Sequence, residues 1–142
     1  MKDKLFCVGQ KALIEKNGKV LILHDPVTKT VDLPGGKIQE GEYNFTEALK
    51  REVGEETTLT IEVIQPFRTG YYEIPANIRH RNSGKKIFTV YFICQFIKGK
   101  IKLSEEHNWY KWVNKSNFKQ LFKTKTDIYR TLDIYLNKLN KL

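Results

Sequence analysis

The sequence predicts an α+β protein, on three observations. Runs rich in β-branched and aromatic residues recur along the chain, the strongest being IFTVYFICQFI at residues 87–97. Apolar residues fall at helical spacing over residues 45–57 and again over residues 127–139. Turn formers such as Asn17-Gly18, Pro34-Gly35-Gly36 and Asn82-Ser83-Gly84 punctuate these stretches.

In order, residues 5–14 (LFCVGQKALI) read as a strand and residues 20–24 (VLILH) as its hairpin partner. Asn17-Gly18 between them supplies the positive φ angles that a tight hairpin turn requires. Residues 25–29 are turn material, followed by a short strand at residues 30–33. Pro34-Gly35-Gly36 should break that strand, because paired glycines let the backbone turn sharply and approach a ligand closely. Residues 59–73 read as an extended, bent strand, and Ile101 with Leu103 suggests another short one. Between them, residues 75–86 form a cationic loop carrying Arg79, His80, Arg81, Lys85 and Lys86. It is either a cover for substrate phosphates or a solvated turn. Trp109 and Trp112 read as core residues rather than base-stacking platforms. In the last helix, Ile128, Leu132, Tyr135, Leu136 and Leu139 share one stripe.

The helix over residues 45–57 has the most chemistry. Asn44-Phe45-Thr46-Glu47 reads as a capping box, with Asn44 accepting from the third helical N–H and Glu47 reaching back to the cap. Phe45, Ala48, Leu49 and Val53 form the stripe that docks on a core. Glu52, Glu55 and Glu56 then stand at i, i+3 and i+4 on another face. Like charges at this spacing cost about 0.2–0.5 kcal/mol per pair, so the cluster calls for a cation or a solvated face. Hard divalent ions such as Mg2+ take carboxylate oxygens and waters, often beside phosphates. Arg51 stands i, i+4 to Glu55, and Glu42 in the preceding loop can reach its guanidinium.

The stretch GKIQEGEYNFTEALKREVGEETTL resembles the signature box of the Nudix hydrolases: Gly36, Glu42, Arg51, Glu52, Val53, Glu55, Glu56 and Leu59 fill eight of its nine specified positions. An extra residue, assigned to Tyr43, lies between Glu42 and Arg51, and Thr58 replaces the second glycine. A helix-ending residue in the left-handed region costs a β-branched side chain about 1–2 kcal/mol, so the turn is either rebuilt or strained. The resemblance implies an α/β (α+β) Nudix fold, a mixed curved β-sheet sandwiched between helices with a catalytic loop–helix–loop. It implies Mg2+, with Mn2+ as a substitute, held by Glu52, Glu55 and Glu56. Glu106, in a loop six residues before Trp112-Val113, resembles an additional family carboxylate that serves as metal ligand or general base, with Glu105 the other candidate. Catalytic roles then fall to Glu56, Glu55, Arg51 and Glu106, and substrate contacts to Gly36, Gly35, Arg79 and Arg81.

The expected reaction is water attack on a phosphoanhydride of a nucleoside diphosphate linked to another group, foremost a nucleoside triphosphate or dinucleoside polyphosphate. Pro75, sixteen residues past Leu59, matches a proline of some ADP-ribose-cleaving relatives, so ADP-ribose or a nucleotide sugar is an alternative. A non-catalytic nucleotide or RNA sensor is another, although the intact glutamates speak against it.

A length of 142 residues fits one domain, residues 1–142, with a sizeable core. The net charge of +9 steers polyanions without saying which; a nucleic acid is open as partner but not favoured, and either monomer or homodimer is compatible. No stretch has the shape of a signal peptide or a membrane span, so a cytoplasmic location away from membrane is expected. Cys7 and Cys94, with no CxxC or histidine pairing, read as small buried hydrophobes rather than zinc ligands or a disulfide.

Overall fold

The computed structural model describes residues 1–79 and 82–139; His80 and Arg81 of the cationic loop lie outside the described residues. Seven strands form one mixed sheet: β1 (Cys7–Lys16), β2 (Lys19–Asp25), β3 (Thr30–Asp32), β4 (Gly35–Lys37), β5 (Thr60–Glu73), β6 (Lys86–Lys98) and β7 (Trp109–Val113). Helix α1 (Phe45–Thr57) and helix α2 (Asp127–Leu139) flank it.

The β1–β2 hairpin turns through Asn17 (φ 53) and Gly18 (φ 78), as the Asn-Gly pair requires. Beyond Glu15↔Val20 the two strands part. The gap beside β1 is filled by β4, which pairs with it antiparallel at Gly9↔Lys37, Gln10↔Gly36 and Lys11↔Gly35. The glycines that were expected only to break a strand therefore form one themselves. Gly35 lies at φ 148, and a Cβ there would come 2.0 Å from the Gln10 carbonyl oxygen, so only glycine lets these backbones pair.

On its other side β1 runs parallel to β6 from Cys7↔Ile87 to Glu15↔Gln95, and β6 pairs antiparallel with β5. Register shifts in β5 between Val63/Gln65 and Pro66/Arg68 bend it, in line with the bent strand the sequence suggested. Strand β2 pairs with β3 and β7.

Because β1 is central, both of its faces are buried along its apolar stretch Ala12-Leu13-Ile14. Ala12 and Ile14 point to α1, where they meet Leu21, Leu23, Leu49 and Val53. Leu13 points the other way with Val20 and Ile22, against Leu132, Tyr135 and Leu136 of α2. Full burial of Leu49 and Val53 contributes about 1.5–3 kcal/mol each, which fixes which face α1 turns inward.

Local details depart from the sequence reading. Asn44 caps α1, its Oδ1 accepting the Glu47 N–H at 3.2 Å, but the Glu47 side chain pairs forward with Lys50 (3.4 Å) rather than back to the cap. Phe45, at the first position of the helix, is exposed and leaves Ala48, Leu49 and Val53 to make the contact. Cys94 is buried but Cys7, at the start of β1, is only half-buried. Strand β1 begins at Cys7, leaving Leu5 exposed ahead of it.

Residues 101–103 form no strand. Ile101 and Leu103 pack on the α1-side core, and the backbone between serves the helix end: Lys102 N–H donates to the Thr57 carbonyl (3.0 Å) and Ser104 N–H to the Glu56 carbonyl (3.1 Å). Two carbonyls that α1 leaves open at its C-terminus are satisfied by this strap. At the same end Thr58 takes the left-handed conformation (φ 64) and donates its N–H to Gly54 (2.9 Å), while its hydroxyl donates to the Lys100 carbonyl. The turn is thus kept with strain rather than rebuilt. Among the described residues no helix is long and apolar enough to cross a membrane.

Candidate active site

The strap places the site. By fixing residues 102 and 104 to the end of α1, it carries Glu105, Glu106 and His107 back over the glutamates of that helix. Glu52, Glu55, Glu56, Ser104, Glu105 and Glu106 line one cleft. Of these, Glu56 goes deepest, at 3% exposure, with Oε1 accepting the Gly35 N–H at 3.3 Å. Burial, opposed by Lys11 and reinforced by Asp32, Glu106 and Glu52, pushes its carboxyl up to about 8. Glu52 is raised by burial as well, against the pull of Arg51 and with the push of Glu55.

Arg51 organises the exposed side of the cluster. Its Nη1 donates to both Glu55 oxygens (3.0 and 3.1 Å), its Nη2 to Glu52 (3.1 Å), and its Nε and Nη2 to Glu42 (3.1 and 2.9 Å). A planar five-donor fork can serve three carboxylates at once where a lysine could not. The N–H of Gln39 first and Arg51 next hold the Glu42 carboxyl below its usual range. Donating to Glu55 and Glu42 raises the pKa of the guanidinium in turn. Gly36 lies against Glu52, whose carboxylate would come 2.5 Å from a Cβ there, so this glycine makes room for the acid.

A cavity of about 210 Å³ opens beside the acids, lined by Gly9, Lys11, Gly35, Gly36, Lys37, Glu52, Tyr72, Asn82 and Glu106 among others. A second, of about 290 Å³, shares Lys11, Tyr72 and Asn82 with it and runs to Tyr91, Asp127 and Ile128 at the start of α2. There Arg68 and the Tyr91 hydroxyl hold Asp127 at 2.8 and 2.6 Å.

The structure brings Gly35, Gly36, Arg51, Glu52, Glu55, Glu56 and Glu106 together. Glu105 is on the same cleft and exposed. Arg79 is exposed and lines neither cavity, and Arg81 lies outside the described residues. Trp109 is half-buried and stacks on His24 (centroids 4.8 Å apart, planes at 8°), while Trp112 packs edge-on against Phe96.

Three residues of the site escaped the sequence reading: Lys11, Asp32 and His107. They form a chain, half-buried at Lys11 and Asp32 and buried at His107, in which Lys11 Nζ lies 3.0 Å from Asp32 Oδ1, Asp32 Oδ2 3.1 Å from His107 Nε2, and His107 Nδ1 3.4 Å from Glu56 Oε2. Burial opposes the Lys11 charge, but Asp32 and Glu56 outweigh it and raise its pKa. Burial likewise opposes the Asp32 charge, yet Lys11 and His107 hold its carboxyl well below the usual range. A signal existed for two of them, since Lys11 is the one charge within residues 5–14 and Asp32 sits between Val31 and Leu33. A charge placed where neighbours are buried needs a partner. His107, in an acidic turn, gave none.

Glu56, Glu106 and His107 each offer a donor atom, and the three lie within 4.8 Å of one another. Glu56 Oε2 and His107 Nδ1 are buried with no hydrogen-bond partner among the described residues. Buried acceptors left unpaired and facing a cluster of carboxylates fit a divalent cation.

A helix bearing a glutamate cluster, docked on a mixed sheet beside a glycine strand, is the arrangement of the Nudix hydrolases. The chain belongs to this family: the NUDIX domain family model matches residues 10–133. It is a hydrolase acting on phosphorus-containing anhydrides. Among solved structures it is similar to a MutT protein from Methanosarcina mazei Go1, with 27% identity, full coverage of both chains and a TM-score of 0.75. It also resembles in fold a MutT NUDIX hydrolase from Burkholderia pseudomallei (22% identity, 91% of this chain and 98% of that one, TM-score 0.72). The same holds for a C. elegans Ap4A hydrolase (19%, 96% and 99%, TM-score 0.74). No curated protein gives a sequence match.

Proposed function

We propose that residues 1–142 act as one catalytic domain, a divalent-metal-dependent pyrophosphohydrolase. Water attacks phosphorus in the phosphoanhydride of a nucleoside diphosphate linked to another group, with nucleoside triphosphates and dinucleoside polyphosphates the preferred substrates. The observation that carries this reading is the convergence of Glu52, Glu56 and Glu106 on one cleft, which shares Glu52 and Glu106 with a cavity walled by Gly35, Gly36, Lys11 and Lys37. Similarity to a MutT protein, and in fold to an Ap4A hydrolase, supports the substrate class.

Anionic phosphate oxygens repel a nucleophile, so the site must offset their charge. Glu52, Glu55, Glu56 and Glu106 would hold Mg2+, or Mn2+ in its place, which when bound would neutralise those oxygens and make a bound water more acidic. Arg51 keeps Glu52 and Glu55 in position so that three neighbouring acids do not splay. Glu56 or Glu106 accepts the proton of the attacking water. Lys11 and Lys37 present positive charge to the phosphates, and Gly35 and Gly36 line the same cavity with backbone alone. Arg79 and Arg81 serve as loop cations for the outer phosphates. The second cavity, with Tyr72, Tyr91 and Ile128 on its walls, receives the nucleoside.

The test is a substrate panel of nucleoside triphosphates, dinucleoside polyphosphates, ADP-ribose and nucleotide sugars, incubated with Mg2+ and resolved by product mass. Glu56→Gln should lower turnover by about 10²–10⁴-fold with the fold retained. Unchanged metal-dependent turnover in that variant would refute the assignment.

A further inference from the structure

We propose that His107 is a metal ligand through Nδ1, so that the cation beside Glu56 and Glu106 sits in a mixed nitrogen and oxygen site and Mn2+ binds more tightly than Mg2+. This rests on the metal-dependent reading above and adds a ligand that the glutamate box does not contain.

The tautomer follows from the neighbours. Asp32 is held as an anion between Lys11 at 3.0 Å and His107 at 3.1 Å, and a carboxylate can only accept. His107 Nε2 therefore carries the proton, and in the neutral ring Nδ1 carries the lone pair. That lone pair points into the acidic cluster: Nδ1 is 3.4 Å from Glu56 Oε2.

Both residues are almost wholly buried, His107 at 4% exposure and Glu56 at 3%, and among the described residues neither of the two facing atoms has a hydrogen-bond partner. Two such atoms face to face away from water call for a shared positive centre, a proton in the metal-free protein and a cation in its place when metal binds. Their separation suits one, because donors about 2.1 Å from a cation and about 90–110° apart stand roughly 3.0–3.5 Å from each other. Glu106 offers the third donor, all three falling within 4.8 Å.

The support behind the imidazole matches a ligand as well. A metal-bound histidine gives its other ring N–H to a carboxylate, which fixes tautomer and orientation. Asp32 does this here, anchored by Lys11. Mg2+ favours oxygen and water, whereas imidazole suits later divalent metals, so a nitrogen donor tilts the site toward Mn2+ and further toward Co2+ or Zn2+.

The experiment is pulsed EPR on the full chain loaded with Mn2+, which reads nitrogen bound to the metal directly and needs no turnover. Wild-type protein should show nitrogen modulation that shifts on 15N-histidine labelling and vanishes in His107→Gln. Calorimetry should show Mn2+ affinity falling about 10–100-fold in that variant. The Mg2+ affinity should change less. Bound Mn2+ without nitrogen modulation in the wild type, or modulation that survives His107→Gln, overturns the proposal. Should His107→Gln not fold, the double variant His24→Gln/His80→Gln must keep the modulation, and its loss there overturns the proposal equally. Hydrolysis with bound Mn2+ but no nitrogen coupling would sink this inference alone; nitrogen coupling without hydrolysis of any phosphoanhydride would sink the functional reading alone.

Discussion

Arg51 shows how one side chain can hold a site that would otherwise push itself apart. It joins Glu42, Glu52 and Glu55 through six hydrogen bonds within 3.1 Å, yet it is over a third exposed, so each pair alone stabilises little. Arg51→Lys should therefore cost less than about 1 kcal/mol in urea unfolding while lowering kcat at least about tenfold, since a lysine cannot hold the fork geometry. A fall in stability with unchanged kcat would mean the arginine is only a brace. Glu56 gives the pH dependence. Its folded pKa of about 8 is above the unfolded value, so its contribution to stability is full below about pH 4.5 and is lost as pH rises through 8. Asp32, depressed, is already ionised in both states above about pH 5, and Lys11, raised, titrates only at alkaline pH. In EDTA, wild-type Tm should accordingly fall between pH 5 and pH 8.5 relative to Glu56→Gln. A flat difference across that range would show that Glu56 does not carry the burial cost.

Among the elements, α1 was the most legible and its end the least. Asn44 as cap and the bounds of residues 45–57 could be read because capping and helical spacing are local, and the extra residue at Tyr43 lies before the cap, so the glutamates keep their register. Strand β4 could not be read, since its pairing depends on β1 opening away from β2 to admit it. The strap at residues 102–104 escaped for a similar reason: Ile101 and Leu103 alternate as in a strand, but the carbonyls that Lys102 and Ser104 serve lie over forty residues away. Glu106 was visible only through family resemblance, and His107 not at all, because its partners Asp32 and Glu56 are distant in sequence. Thr58 offers a direct test of the helix end. Thr58→Ala keeps the left-handed backbone but removes the hydroxyl bond to Lys100, and should cost about 1 kcal/mol. Thr58→Gly removes both the bond and the strain, and should be more stable than Thr58→Ala by about 1 kcal/mol. Equal stabilities would show that the turn is not strained.

At the scale of the molecule, the sheet joins a basic protein of net charge +9 to a pocket of carboxylates. Such a field draws in polyanions while the acids wait for a cation, so kcat/KM for a triphosphate should fall with rising salt more steeply than kcat. The same dependence in both would place the effect after binding. The two faces of β1 anchor α1 and α2 to separate cores, which keeps the acidic helix and the second cavity on one rigid support. The strap has a consequence for how this support opens. Lys102 and Ser104 belong to no strand or helix, yet their amide protons are committed to carbonyls of α1. In deuterium exchange they should behave as part of that helix, slow despite their loop setting and released in the same cooperative step as the carboxylates they help to gather.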